Sequence, residues 1–579
     1  MNQNAEYSAV NDAVRGHFFR RVWQLIWPYW RSEEKGKAWL LLAAVIGLSL
    51  FSVWISVWMN SWYRDFYNAL QKKDLAAFTH LLLYFCGIAA VAILGAVYRL
   101  YLSQMLTIRW RRWLTEKHFN RWLDHKNYYQ MEQGGHTDNP DQRISQDLDN
   151  FTSDTLSLVI GLIRTVVSLV SFSVILWGVS GSIEVFGITI PGYMFWCALV
   201  YSIVGSVLTR WIGSSLIPLN NQQQRFEADF RFSLIRLREN AESIALYTGE
   251  SNEKERLTSR FGKVWNNYWA LMKVTKRLTF FTAGYGQAAV IFPFVVAAPR
   301  YFSGKIDLGG LMQINSAFGN VQGDMSWFID SYGTLVGWKA TCDRLNSFRQ
   351  AMIDNEERNA SIVVEQQGEA IRVEDLSLDL VDGRQLLGNA SLSVQAGERV
   401  LLGGRSGSGK SSLLRAMGQL WPNGHGNIRM PQGRSLFLPQ KTYLPIGSLR
   451  DALSYPLSGE AYSLERCKEV LDACRLPHLV SRLEEANHWQ RLLSPGEQQR
   501  LAFARALLYA PKWLYLDEAT SAMDEEDEAT LYQTLIDQIP GLSIVSVGHR
   551  STLKRFHSRQ IRIEGGHLVN QSIGEPSPV

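Results

Sequence analysis

The sequence predicts a multi-domain chain: an all-α, membrane-crossing half of six helices, followed by an α/β half. Three observations carry this. Apolar runs near the length of a bilayer core recur up to Val336. Lys and Arg crowd into alternate connections between those runs. From Ile371 onward, short apolar runs alternate with turns and helical patterns around one glycine-rich turn.

A membrane helix needs about twenty mostly apolar residues. Trp39 to Met59, Leu81 to Tyr98, Leu156 to Val179 (interrupted by Arg164), Tyr193 to Ile212 and Leu278 to Ala298 meet this, the last with Pro293 as an expected kink. The sixth, Leu311 to Val336, carries Gln313, Asn315, Asn320, Gln322, Asp324 and Asp330, all costly in lipid. Either its polar face lines a watery cavity or part of it lies outside the membrane. Six spans satisfy the charge pattern, so the cavity is preferred. Asp324, Asp330 and Arg164 are then candidates for a solute path or for intramembrane pairing.

The connection after the second span holds Arg109, Arg111, Arg112 and Lys117, and the one after the fourth is richer still. Gly181 to Ile190 has no cation. Cations on the inner side therefore place both termini and the two long connections in the cytoplasm. Each long connection is expected to continue its spans as helices and to hold a turn that docks on the α/β half, with His136 to Asp141 the candidate in the first. Residues 1–38 form an N-terminal cytoplasmic segment whose His17 to Trp30 stretch, amphipathic and basic, suits a helix lying in the membrane surface. Residues 39–345 are the membrane domain, 346–370 a linker, 371–570 the α/β domain and 571–579 a tail. Met1 to Val14 is polar and lacks the apolar region of a cleaved signal, so the first span is expected to act as the insertion signal. Trp27, Tyr29, Trp30, Trp58, Trp62 and Tyr63 flank spans as interfacial belts do, an aromatic substrate box being the alternative.

The formal net charge of +5 comes without a basic tail or an aromatic-interleaved basic patch, which argues against nucleic acid as partner. Cys86, Cys197, Cys342, Cys467 and Cys474 lie at spacings unsuited to zinc and read as small buried residues in a reducing compartment.

The glycine-rich turn is Gly404-Arg405-Ser406-Gly407-Ser408-Gly409-Lys410-Ser411, with Ser412 opening the helical pattern after it. It follows an apolar strand pattern (Val400, Leu401, Leu402), the context a phosphate cradle needs. Glycines let successive N–H groups curl inward, and the helix adds its positive end. Lys410 is placed to reach the β- and γ-phosphates of ATP, and Ser411 to reach Mg2+.

Further motifs follow in order. Gln440, after Leu438-Pro439, is placed to complete a magnesium shell. Leu493-Ser494-Pro495-Gly496-Glu497-Gln498 opens a helix with Ser494 as N-cap. Trp513 to Leu516 is a buried strand ending in Asp517, a magnesium ligand, and Glu518, a base for the attacking water. Ser521 to Asp524 forms a turn. Ser543 to Gly548 is a strand ending at His549, a γ-phosphate contact. Any one of these is common as an ordinary surface or core residue; the ordered set is specific.

On those residues, 371–566 resemble the nucleotide-binding domain of ABC transporters. The resemblance implies that Ser494, Gly496 and Glu497 act on ATP held by a second copy, and hence a homodimer closing around two ATP molecules. Two departures stand out. The signature has Pro495 where the family usually carries glycine, and no aromatic to stack on adenine is evident, with Leu378, Leu380 and Val381 near where it belongs. In the membrane half, Arg109 to Thr115, Asp138 to Ile144 and Glu242 to Tyr247 are similar to the membrane domain shared by peroxisomal acyl-CoA transporters and bacterial SbmA/BacA-type peptide transporters. This implies an exporter-like (type IV) membrane fold and an ATP-driven transporter of the bacterial inner membrane, with Glu242 on a cytoplasmic helix. Peptides or other bulky solutes, cobalamin-like ones among them, are the expected cargo, with uptake favoured. A fatty-acyl exporter and an ATP-gated pore or regulator are the alternatives.

Overall fold

The computed structural model describes residues 18–134, 139–185, 188–358, 362–380 and 382–572. Backbone contacts divide the chain into two units, residues 1–119 with 139–347, and residues 120–138 with 348–579.

The first unit is helical, as the long apolar runs require. Its main helices are α1 (Lys35–Lys72), α2 (Leu75–Leu123, whose end passes into the second unit), α3 (Leu148–Ser180), α4 (Tyr193–Gly213), α5 (Glu250–Phe302) and α6 (Leu308–Arg358). Five membrane-length apolar helices are present among the described residues, and α6 is the polar sixth. The helices exceed a bilayer's thickness: α5 alone has 53 residues, and it runs through Pro293 and Pro299. Leu216–Glu239 continues the direction of α4 and packs against α5, with Ala241–Leu246, which carries Glu242, at the far end.

Close approach is what packs helices whose outer faces are already apolar. A Cβ on Gly205 of α4 would run into the Tyr285 ring of α5, and one on Gly161 of α3 would lie 2.8 Å from Trp327 of α6. Polar cross-links add register. Tyr201 Oη donates to the Tyr285 carbonyl at 2.7 Å, Asn60 Nδ2 donates to the Gln313 carbonyl at 3.0 Å, and Trp338 Nε1 donates to Thr155 Oγ1 at 2.7 Å. At the base of α3, Asp147 is buried between Arg143 (2.6 Å) and Arg344 (2.6 Å). Burial pushes its carboxyl up, but the two guanidiniums outweigh this and hold it below the ordinary carboxylate range. Asp324 is buried on α6, whereas Asp330 and Arg164 are exposed on the single chain. Helix 18–30 buries Val22, Leu25 and Tyr29, and exposes Phe19 and Trp23.

In the second unit, a six-stranded sheet runs in the order His567–Ser572, Arg559–Glu564, Arg399–Gly404, Ser543–Val547, Trp513–Asp517, Ser435–Leu438. Every pair in it is parallel except the hairpin at 559–572. A second sheet pairs Ile362–Gln366, Gly424–Met430, Ile371–Asp379 and Gln385–Val394. Buried Val400, Leu402, Leu413, Tyr515 and Val545 share one core with Ile371, Leu378 and Leu392. Parallel strands buried on both faces read as continuous apolar runs, and Val400 to Leu402 and Leu514 to Leu516 do.

Within this unit, residues 124–126 form a short turn of helix. Lys126 donates through Nζ to the carbonyl of Gly418, the residue that ends the helix Lys410–Met417. The turn expected to dock, His136 to Asp141, lies partly outside the described residues; the docking contact seen within the second unit is made by Lys126.

Candidate active site

Four parallel strands end at the same edge of the six-stranded sheet, and that edge gathers the motifs. Gly404 ends one strand, Asp517 and Glu518 close another, Gly548 and His549 follow a third, and Gln440 follows the fourth. In open parallel sheets, the crevice outside the carboxyl ends of the strands is where ligands bind.

The turn 404–411 curls because Gly404, Gly407 and Gly409 adopt positive φ of 139°, 77° and 100°. At Gly404 a Cβ would strike the Ile563 carbonyl and Ser408 Oγ, each 2.9 Å away, so glycine is required there. Gly409 caps the helix Lys410–Met417, whose N-terminus opens on the turn. Lys410 is buried and folds back on the loop, donating to the carbonyls of Gly404 (3.1 Å) and Arg405 (2.9 Å). Burial depresses its ammonium pKa, and the Glu518 and Asp517 carboxylates oppose that shift. Ser408 Oγ is buried without a hydrogen-bond partner, an orphan polar atom facing this cradle. An unpaired hydroxyl and a loop that admits no side chain at Gly404 fit a phosphate group.

Ser411 donates from Oγ to Asp517 Oδ1 at 2.7 Å. Gln440 donates from Nε2 to Glu518 Oε2 at 2.9 Å, leaving its amide oxygen for another partner. These are hard oxygen donors, few in number, of the kind Mg2+ takes when phosphates and water supply the rest of its shell. Among the described residues, no cluster of three His, Cys, Asp or Glu side chains forms an all-protein metal cage.

Glu518 itself has φ of +49°, a conformation costing on the order of 1–3 kcal/mol for a residue with a Cβ. The strain is held by its own N–H, which donates to the Val547 carbonyl at 3.1 Å. Its carboxylate meets Gln440 on one oxygen and His549 Nε2, at 3.2 Å, on the other. Side chains that follow two strand ends thus converge on the carboxylate at the end of a third.

Ser494 caps the helix Pro495–Tyr509 in a full capping box with Glu497. Ser494 N and Oγ both reach Glu497 Oε2 at 2.8 Å, and His478 Nε2 lies 2.8 Å from Glu497 Oε1. Burial raises the Glu497 pKa, but the Ser494 and His478 contacts prevail and lower it. Pro495 stands at the first helical position, where an N–H has no intrahelical partner, so proline costs the helix nothing. A Cβ on Gly496 would lie 3.1 Å from the Ala522 carbonyl. Among the described residues, no hydrogen bond joins Ser494 or Glu497 to loop 404–411. The structure therefore brings together Lys410, Ser411, Gln440, Asp517, Glu518 and His549, and leaves Ser494, Gly496 and Glu497 outside that group. Leu378 is fully buried and cannot face a base, and Val381 lies outside the described residues.

Sequence reasoning missed three supporting residues. Gln499 donates to the Gln440 carbonyl (3.3 Å) and to Ser521 Oγ (3.1 Å), and accepts from the Ala522 N–H (2.9 Å). It therefore couples the signature helix to the Gln440 and Ser521 turns. Buried Glu528 accepts from Thr520 Oγ1 (2.6 Å) and Thr552 Oγ1 (2.9 Å), and Arg550 donates to the Met523 carbonyl at 2.7 Å. Gln499 neighbours the signature motif, which was the one available signal; the others depend on tertiary packing alone.

Residues 25–302 match the family model described as ABC transporter transmembrane region 2, and residues 387–521 match the model described as ABC transporter. The chain is similar to ABC transporter D family member 2, chloroplastic, of Arabidopsis thaliana, at 36% identity covering 94% of this chain and 86% of that protein. It is similar to the inner membrane ABC transporter ATP-binding protein YddA of Escherichia coli strain K12, at 35% identity covering 91% and 94%. In fold it resembles a bacterial Atm1-family ABC exporter solved with ATP bound, with a TM-score of 0.70 and 18% identity over 92% of this chain and 94% of that one.

Proposed function

We propose that this chain, which belongs to the ABC transporters as a half-transporter with its membrane region and ATPase in one polypeptide, works as a homodimer that drives a bulky solute across a bacterial inner membrane. It binds ATP and is an ATPase coupled to transport. Uptake is the favoured direction, with peptides or similarly bulky solutes as cargo.

The observation that carries the catalytic reading is the convergence of Gln440 and His549 on Glu518, within 3.2 Å, beside the Lys410 cradle. Lys410 exchanges its two backbone carbonyls for the β- and γ-phosphates, and the N–H groups of residues 405–412 close around them. Glu518, oriented by its neighbours and its backbone, polarises the attacking water. His549 contacts the γ-phosphate. Ser411, Asp517 and Gln440 are the side chains that would hold Mg2+, which when bound neutralises charge on the phosphate oxygens.

Among the described residues, no hydrogen bond joins Ser494 or Glu497 to loop 404–411, which supports the signature residues acting on the ATP of a second copy. ATP then gains its full set of donors only when two ATPase domains meet, and hydrolysis removes that bridge. Residues 1–38, both long connections and the ATPase face the cytoplasm in this reading, supported by the distribution of Lys and Arg.

The test is uptake into proteoliposomes over a panel of peptides, cobalamin and acyl-CoA. Accumulation of one class against its gradient, dependent on ATP and lost in Glu518→Gln, is the expected result. Flux that only equilibrates the gradient would replace the pump with a gated pore.

A further inference from the structure

Helix 18–30 has two unlike faces. Val22, Leu25 and Tyr29 are buried, with the Tyr29 ring stacked 5.8 Å from that of Trp110 on α2, and Phe18 stands edge-on to Trp338 of α6. Turned away from these contacts are Phe19, Trp23, Trp27 and Arg31, spaced by four and so aligned along one side. Phe19 is 70% exposed and Trp23 55%, too much apolar ring for an ordinary surface. The row is ordered. The Trp23 and Trp27 rings stack at 4.7 Å, and the Arg31 guanidinium lies 5.0 Å over the Trp27 ring. Among the described residues, the Arg31 side chain makes no hydrogen bond or ion pair besides that stacking.

The first span sets the level of this row. Trp39, where the apolar run of α1 begins, donates from Nε1 to the Trp30 carbonyl at 3.3 Å, and the two rings lie 5.3 Å apart. The row therefore stands at the edge of the lipid, where an aromatic ring keeps its body against acyl chains and its polar edge among headgroups. The charge around it has one sign in excess. Residues 18–37 carry Arg20, Arg21, Arg31, Lys35 and Lys37 against Glu33 and Glu34, and Glu34 already lies 3.8 Å from Arg109. Water would leave two large rings unburied, and a neutral lipid surface would leave the excess cations without counter-charge. An anionic lipid surface answers both.

We propose that the outward row of helix 18–30 is a docking surface for anionic phospholipid of the surrounding bilayer, with Phe19, Trp23 and Trp27 seated at the acyl boundary and Arg20 and Arg31 on headgroup phosphates. Guanidinium suits the role because Trp27 covers one of its flat faces and leaves the edge of its planar fork to meet two oxygens of one phosphate. Since the opposite face of the same helix packs on α2 and α6, lipid held here is held against the two helices that Trp110 and Trp338 belong to. The surface needs only that α1 spans the membrane, and it is independent of the cargo and of the direction in which cargo moves.

The full chain is placed in nanodiscs of phosphatidylcholine that carry a trace of phosphatidylglycerol or, in a parallel set, of phosphatidylcholine, each with the same diazirine at the top of one acyl chain. After irradiation the labelled residues are mapped by mass spectrometry. In wild type, residues 18–31 are expected to take the phosphatidylglycerol label about tenfold over the phosphatidylcholine label, the scale of one to two cations at a charged surface. Arg20→Gln with Arg31→Gln should level the two yields, because the rings still reach lipid, and Arg20→Lys with Arg31→Lys should keep most of the preference. Phe19→Ser with Trp23→Ser should lower labelling by both lipids, and an unshifted thermal melt shows that each variant is folded. Equal labelling by the two lipids in wild type overturns the surface, as does a preference that survives the double Gln variant. No label on 18–31 in discs where α1 is labelled also overturns it, and gives that face to water or to another polypeptide.

Discussion

Gln440 and Glu518 are joined side chain to side chain, Nε2 to Oε2, across 2.9 Å. The amide comes from the turn after one strand and the carboxylate from the end of its neighbour, so the bond fixes the Glu518 carboxylate relative to the carboxyl edge of the sheet. Glu518→Gln keeps the shape and removes the charge. Hydrolysis is expected to fall by about 10²–10⁴-fold, the usual contribution of a general base, while ATP stays bound and the ATPase domains stay paired. Native mass spectrometry with Mg2+ and ATP, alongside phosphate release, checks both. Wild-type turnover in this variant would remove Glu518 from catalysis.

Among the described residues, Lys410 donates its hydrogen bonds to two loop carbonyls, at 2.9 and 3.1 Å, contacts that a phosphate would replace with charge-assisted ones. Lys410→Ala is expected to weaken ATP binding by about 10–100-fold, equivalent to the loss of one or two such bonds. Fluorescent-nucleotide titration gives the number, and unchanged affinity counts against the cradle.

Among the described residues, Ser494 and its capping-box partner make no hydrogen bond to their own phosphate loop. Ser494→Ala should therefore lower turnover while leaving the ATP affinity of a separated chain unaltered, and should cost the helix about 1 kcal/mol through loss of the cap. Ser494→Thr keeps hydroxyl and cap and is expected to retain most activity. A parallel fall in affinity would place Ser494 at its own nucleotide.

Asp324 is the buried acid of α6 and lies far in sequence from the ATPase motifs. Asp324→Asn is expected to change substrate flux more than basal hydrolysis, read from the two assays on one liposome preparation. Equal loss in both would mark Asp324 as a folding residue.

His557 carries a pH signature. It is buried, with Nδ1 2.7 Å from the Leu553 carbonyl and Nε2 2.9 Å from Ser546 Oγ, and Tyr532 Oη lies 3.0 Å beyond on the same Ser546 oxygen. Burial holds its pKa down to about 4, so the folded ring stays neutral where an unfolded one protonates. Stability is therefore complete above the unfolded histidine range near 6.5 and declines as pH falls toward 4, by about 2 kcal/mol at pH 5. Denaturant melts of the full chain at pH 7.5 and 5 should show this loss, and His557→Gln should flatten it. A variant as acid-sensitive as wild type would shift the cause to another group.

The fold was legible because its signals are local and strong. Val400 to Leu402 before Gly404, and Leu514 to Leu516 before Asp517, announce buried parallel strands and the turns that follow them. Helices α1 to α5 announce themselves by apolar length. Helix α6 was legible only through the count of spans, since Gln313, Asp324 and Asp330 dilute its hydropathy. What could not be read was long-range. Asp147 reaches Arg344 across 197 positions, Lys126 reaches Gly418 across 292, and Gln499 ties two turns together. Such contacts are set by which surfaces the packed elements bring face to face, and no periodicity in the chain records that. The burial of Leu378 was unreadable for the same reason: the strand's register turns it into the core.

The Ser494 hydroxyl is already spoken for. It donates to the Glu497 carboxylate at 2.8 Å and accepts from the Glu497 N–H at 3.3 Å. A neighbouring chain's phosphate can take that hydroxyl only by displacing a carboxylate that carries the same sign of charge. His478, already 2.8 Å from the other Glu497 oxygen, is where the displaced carboxylate can go. In the proposed homodimer, association would therefore swap one strong contact for another instead of adding a new one, and each half would keep a built-in reason to let go.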